Sequence, residues 1–189
     1  MYSIRLHGRG GQGAVVASKI LADAYFRQGF FVQAFPVFGV ERRGMAVAAF
    51  VRVDQLPILE RGEVRNPNAV IVLDPTLLGM IEIVRGLHPQ GTVLVNHCLA
   101  PEAIPLRGQF NLATVDASKI ALKHRLGSPL APIVNAVILG AFARLEKNLE
   151  LKNILSAIRD GVPDKPEANV AAAQEAFDKV NYRWESVKE

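Results

Sequence analysis

The chain has 189 residues, of which 50% are hydrophobic and 21% charged, so it can bury a sizeable core and is neither disordered nor fibrous. Its 22 Lys and Arg stand against 18 Asp and Glu, a mild excess. No basic stripe interleaved with aromatics accompanies that excess, which speaks against nucleic-acid binding while leaving room for an anionic ligand.

Residues 2–7 read as a short strand, and Gly8, Arg9, Gly10, Gly11, Gln12 and Gly13 as a glycine loop. Residues 14–28 carry Val15, Ile20, Leu21, Ala24 and Tyr25 at a helical recurrence, and Gly29 sits where a helix C-terminal glycine belongs. Residues 30–35 are a second strand candidate. Strand, glycine loop, helix and strand make a βαβ signature, which predicts that the two strands run parallel. Further strands are expected over residues 44–53, 70–73, 92–96 and 110–115. Asp74-Pro75 marks a break or helix start, the spacing predicts a helix over 76–85, and Asp116 caps another to about residue 126. The alternation predicts an α/β fold, a three-layer α/β/α sandwich with a mainly parallel sheet and a Rossmann-like glycine loop after the first strand. From about residue 130 the chain turns helical. Residues 133–145 are apolar with small side chains, 149–160 are amphipathic until Gly161-Val162-Pro163, and 166–180 form a last helix. The tail, 181–189, is polar apart from Tyr182 and Trp184. No linker or repeat interrupts residues 1–189, which are expected to form a single domain.

The loop satisfies the G-x-G-x-x-G spacing between a strand and a helix. Glycines let the backbone turn tightly and approach a ligand, and a helix N-terminus offers unpaired N–H groups to an anion. A nicotinamide dinucleotide site also needs a carboxylate near the end of the second strand. Phe31-Val32-Gln33-Ala34-Phe35-Pro36 holds none, and the next acid, Glu41, lies beyond Pro36 and Gly39. Three readings stay open: dinucleotide binding, glycines that only let the first helix pack closely, and contact with another anion, either a ligand phosphate or a neighbouring subunit's carboxylate.

Glu41, Arg42 and Arg43 fall in a turn between the second and third strands, where open α/β sheets dock ligands and partners. Arg42 or Arg43 can grip a phosphate or carboxylate bidentately; otherwise the turn is a solvated local ion pair. Arg9 likewise meets an anion or solvent. His7, at a strand end, reads as hydrogen-bonded structure rather than a catalyst. His97 and Cys98 point to opposite sides of an extended segment, which disfavours a nucleophile pair. Asp74 either lines a site or caps a turn, and Asn135 satisfies backbone at the head of an apolar helix. Tyr182 and Trp184 are candidates for anchoring another subunit. The one cysteine, Cys98, rules out an internal disulfide and any four-cysteine metal site on this chain alone, and fits a reducing compartment. No secretory signal pattern or membrane-length apolar run is legible, so the expected localisation is cytoplasmic.

Ile4-Arg5-Leu6-His7-Gly8-Arg9-Gly10-Gly11-Gln12-Gly13 resembles the opening of the gamma subunit of 2-oxoacid:ferredoxin oxidoreductases. A second block is similar to the same family: Gln33-Ala34-Phe35-Pro36-Val37-Phe38-Gly39-Val40-Glu41-Arg42-Arg43-Gly44. Weaker likenesses follow at residues 73–78, at Asn135 with Leu139-Gly140-Ala141, and from Lys165 onward. The resemblance implies a hetero-oligomeric enzyme. Other subunits of it carry thiamine diphosphate, Mg2+ and [4Fe-4S] clusters, convert a 2-oxoacid and coenzyme A to acyl-CoA and CO2, and reduce ferredoxin or another acceptor. It further implies that this chain has no catalytic residue, metal or resident cofactor, and that it helps admit CoA and hold the complex together. Gly8, Arg9, Gly10, Gly11, Gln12, Gly13, Glu41, Arg42, Arg43 and Gly44 are the expected contacts to CoA or to a partner subunit. The chain shows neither a Gly-Asp-Gly…Asn run for thiamine diphosphate nor enough cysteines for a cluster. The alternatives are a stand-alone NAD(P)-binding oxidoreductase and a purely structural assembly subunit. The oxoacid itself, whether pyruvate, branched-chain or aryl glyoxylate, is not legible.

Overall fold

The computed structural model describes residues 1–37 and 45–184. Its strands are β1 (Tyr2–Arg9), β2 (Phe31–Val37), β3 (Ala46–Asp54), β4 (Ala69–Val72), β5 (Thr92–Asn96), β6 (Asn111–Val115), the short β7 (Gly127–Ser128) and β8 (Ala131–Pro132), and β9 (Asn181–Arg183). Its α-helices are α1 (Ala14–Phe26), α2 (Ala117–Lys123), α3 (Asn135–Leu145), α4 (Leu151–Gly161) and α5 (Pro166–Lys179).

Seven strands form one sheet in the order β2-β3-β1-β4-β5-β6-β9, while β7 and β8 make a separate hairpin. β1, β4, β5 and β6 are mutually parallel. Their interior members read as unbroken apolar runs because both faces are covered. β1 and β2 do share a direction, but they are not neighbours. β3 lies between them and is antiparallel to both. A βαβ pattern fixes strand direction, whereas the insertion of a third strand depends on pairing across many residues. β2 is therefore the sheet edge, where Pro36 is tolerated for want of a second pairing partner.

All five α-helices contribute to one apolar cluster, packed on the face that carries Ile4, Leu6, Ala49, Val51, Ile71, Leu94 and Ala113. On the opposite face Val70, Val72, Val93, Val95 and Leu112 pack under Leu77, Ile83, Ile104 and Phe110. The architecture is thus three-layered, with the second outer layer made of 3-10 turns and loops. The helix expected over 76–85 is one such piece. Only Pro75–Gly79 is helical, as a 3-10 turn, and tight turns follow, including Arg85 N–H to the Glu82 carbonyl at 3.0 Å. Leu77 and Ile83 are the fully buried anchors, and their separation of six residues does not return to one helical face. The tail also differs from expectation: Asn181–Arg183 pairs antiparallel with β6 and closes that edge. Three residues are too few to show a period.

Asp116 does cap α2, its Oδ1 accepting the Lys119 N–H at 2.9 Å. Glu175 of α5 clamps α2 from the side. It accepts from Lys123 Nζ at 2.8 Å and Lys179 Nζ at 2.7 Å, and sits 2.8 Å from His124 Nε2. Hydrogen bonds from Lys123, Lys179 and His124 hold its carboxyl at about 2. A depressed carboxylate stabilises the fold above its unfolded value and loses that share as pH falls through the folded one. Glu175→Gln is expected to cost about 1 kcal/mol at neutral pH, with the loss shrinking towards about pH 3. Urea melts at the two pH values check this; a constant difference would refute it.

Candidate functional site

A cleft of about 860 Å3 opens at the carboxyl ends of β1, β4 and β5. From β1 the chain runs through α1 to the far edge strand, whereas β4, β5 and β6 step the other way. The strand order therefore reverses between β1 and β4, which is where open α/β sheets form ligand crevices.

The glycine loop makes one wall. Gly10 N–H donates to the Met45 carbonyl at 2.9 Å and Gln12 N–H to the Arg9 carbonyl at 3.0 Å. Gly13, at φ 80°, is the left-handed residue from which α1 starts, and among the described residues no side chain caps that helix N-terminus. A Cβ at Gly13 would overlap the Asn135 side-chain amide, so a glycine is required both for the turn and for the approach of α3. The Asn135 Oδ1 accepts the Ala136 N–H at 2.8 Å, as expected of a helix-heading asparagine.

Asp74 joins the loop to the rest of the cleft. Its Oδ1 accepts from Thr76 N–H at 2.9 Å and from the Thr76 hydroxyl at 2.6 Å; its Oδ2 accepts from Gln12 Nε2 at 2.7 Å and lies 3.2 Å from Arg9 Nε. The two readings of Asp74 are both realised, since it caps the 3-10 turn and lines the cleft. Burial pushes its carboxyl up, but the bonds from Thr76 and Gln12 and the Arg9 charge outweigh it and leave the value below normal. Arg9 is thereby tethered at the cleft wall, half-buried: Nη2 donates to Thr76 Oγ1 at 2.7 Å in addition to the ion pair. An incoming anion meets a guanidinium already shared with Asp74.

Two polar clusters were not singled out from sequence. Asn96, at the end of β5, donates to the Leu73 carbonyl at 2.9 Å and to Ser118 Oγ at 3.0 Å. Asn169 of α5 donates to the carbonyls of Asp164 and Lys165 at 3.1 and 3.0 Å, stapling the left-handed turn at Lys165. Its Oδ1 is buried without a partner. Both asparagines line the cleft, as does the β7–β8 hairpin, whose Leu130 is 98% exposed. Their positions give a signal only in three dimensions, although Asn96 and Asp74 share the pattern of a polar residue directly ending an apolar strand.

The other expected residues are placed as follows. Glu41, Arg42, Arg43 and Gly44 lie outside the described residues. His7 is buried. Cys98 is exposed, and His97 Nδ1 accepts the Leu99 N–H at 3.0 Å. Tyr182 and Trp184 are exposed with ring centroids 5.0 Å apart. Among the described residues no group of three or more His, Cys, Asp or Glu is arranged to hold a metal ion. Nor is any helix among them long and apolar enough to cross a membrane.

A mixed α/β sheet with a parallel centre and a glycine-loop crevice at its switch point defines the class of open-sheet α/β proteins. The sequence narrows it. The family model for pyruvate ferredoxin/flavodoxin oxidoreductase matches residues 3–179, and the chain belongs to that family. It is 45% identical over 183 residues to the pyruvate/ketoisovalerate oxidoreductases common subunit gamma of Pyrococcus abyssi, covering 95% of this chain and 97% of that one. It is 42% identical over 181 residues to the pyruvate synthase subunit PorC of Methanothermobacter thermautotrophicus, covering 95% and 96%. The crystal structure of the pyruvate oxidoreductase subunit PORC of Thermotoga maritima superposes with a TM-score of 0.79 at 34% identity, covering 96% of this chain and 97% of that one. The chain is accordingly a gamma-type subunit of a multi-subunit 2-oxoacid:ferredoxin oxidoreductase.

Proposed function

We propose that this subunit serves a CoA-acylating 2-oxoacid oxidoreductase by holding CoA near the glycine-loop cleft and by bracing the assembly, without carrying electrons itself. The observation that carries this reading is the N-terminus of α1, started by left-handed Gly13, capped by no side chain among the described residues, and opening on a cleft of about 860 Å3. Such a terminus favours a phosphate. Arg42 and Arg43 are assigned the further cationic contacts, with Gly10 and Gly11 leaving the loop backbone open to the ligand. Thiamine diphosphate with Mg2+ and the [4Fe-4S] clusters reside in partner subunits, because a chain with one cysteine cannot ligate a cluster alone.

The dinucleotide alternative loses support from the sheet order. In a Rossmann site the ribose carboxylate ends a strand adjacent to β1, and here antiparallel β3 occupies that place. In the assembled enzyme, Arg42→Ala with Arg43→Ala is expected to raise the KM for CoA by roughly fivefold or more while moving that for the oxoacid less. Equal effects on both would count against the reading. An unchanged CoA dependence would favour the purely structural subunit, and nicotinamide binding by the purified chain would favour the dinucleotide alternative.

A further inference from the structure

The sheet face turned away from the helices carries polar groups on its central strand. Along β1, Ile4 and Leu6 face the helices, while Ser3, Arg5 and His7 alternate to the other side. A strand flanked on both sides ordinarily shows apolar side chains to both faces. Here Arg5 Nη2 donates to the carbonyls of Ile83 at 2.8 Å and Arg85 at 2.7 Å, yet Arg5 Nε is buried without a partner among the described residues. His7 is 9% exposed, and its Nε2 is also buried, with no partner among the described residues. Burial first, and then the Arg5 charge, pull its imidazole down to about 4, so it is neutral at physiological pH. Desolvated nitrogens without partners are rare in folded chains and call for an explanation.

Both side chains line one groove of about 670 Å3, together with Phe50, Glu63, Arg65 and Arg85. The groove shares no lining residue with the glycine-loop cleft. Among the described residues, three guanidinium groups and one carboxylate line it, and Arg65 and Arg85 are exposed. The volume lies within the range of small-ligand pockets, about 300–1,000 Å3.

We propose that this groove is a second anion site, taking a phosphate-bearing small molecule whose phosphate reaches Arg5 and His7 between the outer arms of Arg65 and Arg85. Arginine presents several N–H donors to a tetrahedral oxyanion, and the anion gains the two buried floor nitrogens as the exposed side chains at the mouth draw aside. Neutral His7 contributes only as the Nε2-protonated tautomer, so the bound anion selects that tautomer.

The test is a titration of the full chain with pyrophosphate, followed by nitrogen and proton NMR of the His7 ring and the amides of Gly10, Gly11 and Gly13. Saturable shifts at His7, with the Nε2-protonated pattern, are expected. Arg65→Gln with Arg85→Gln, both on exposed side chains, is expected to weaken binding by roughly tenfold. Shifts confined to the glycine-loop amides would place the anion in the other cleft and overturn the proposal. So would an unmoved His7, or equal affinity in the double variant.

Discussion

Gly140→Ala is expected to destabilise the chain by about 3 kcal/mol, although an alanine in an exposed helix would stabilise it by about 1 kcal/mol. The sign is decided where α3 crosses α5. A Cβ at Gly140 would run into the Ala173 carbonyl oxygen, which is backbone and cannot rotate away. Neither helix has room to retreat. Ala136, Val137, Ile138, Leu139 and Ala141 of α3 are fully buried, and so are Ala172, Ala173 and Ala176 of α5. Small residues on both surfaces set this close approach, and interiors at crystal-like density resist one added methyl. The effect reaches the cleft, since Asn135 and Asn169 sit near the starts of these two helices. A fall in the urea midpoint with an unchanged slope is the expected reading. A raised midpoint would show that the crossing relaxes freely.

How much of this was legible in the sequence depends on the range of the interaction concerned. The strands at 92–96 and 110–115, the Asp116 cap and the glycine loop carry their signals within a few residues, and they stand where those signals place them, the sixth strand starting one residue later at Asn111. The intrusion of β3 between β1 and β2 leaves no local trace, because antiparallel pairing such as Arg5 with Phe50 joins segments far apart. The same holds for Arg9. Sequence offers an anion or solvent as its partner without saying which, and the fold brings the Asp74 carboxylate and Thr76 to it from the next parallel strand end. Asn169 is missed for a related reason: its amide matters only once α5 lies across the cleft from α1.

Asp74→Asn is the change expected to disturb the glycine loop most. The carboxylate accepts the Thr76 N–H and hydroxyl on Oδ1 and Gln12 Nε2 on Oδ2, and Oδ2 also forms an ion pair with Arg9 Nε at 3.2 Å. An amide has one accepting oxygen, so either orientation sets an NH2 group against donors. The expected loss is about 2–3 kcal/mol, the scale of a hydrogen bond to a charged group with its partner left unsatisfied. Because Gln12 Oε1 also accepts the Arg9 N–H at 2.7 Å, releasing Gln12 Nε2 loosens the turn that presents the α1 N-terminus. The pH dependence follows from the depressed folded value. Wild-type stabilisation is complete above the ordinary 3.8 and is lost as pH falls through the lower folded value. The gap between the wild type and D74N is therefore flat from neutral pH to about 5 and narrows below about 4. If the loop presents the phosphate contact, the assembled D74N enzyme needs roughly tenfold more CoA for half-maximal rate, with the oxoacid requirement moving less. Stability lost with CoA dependence unchanged would separate the loop's structural role from ligand binding, and leave the α1 N-terminus to a partner subunit's carboxylate.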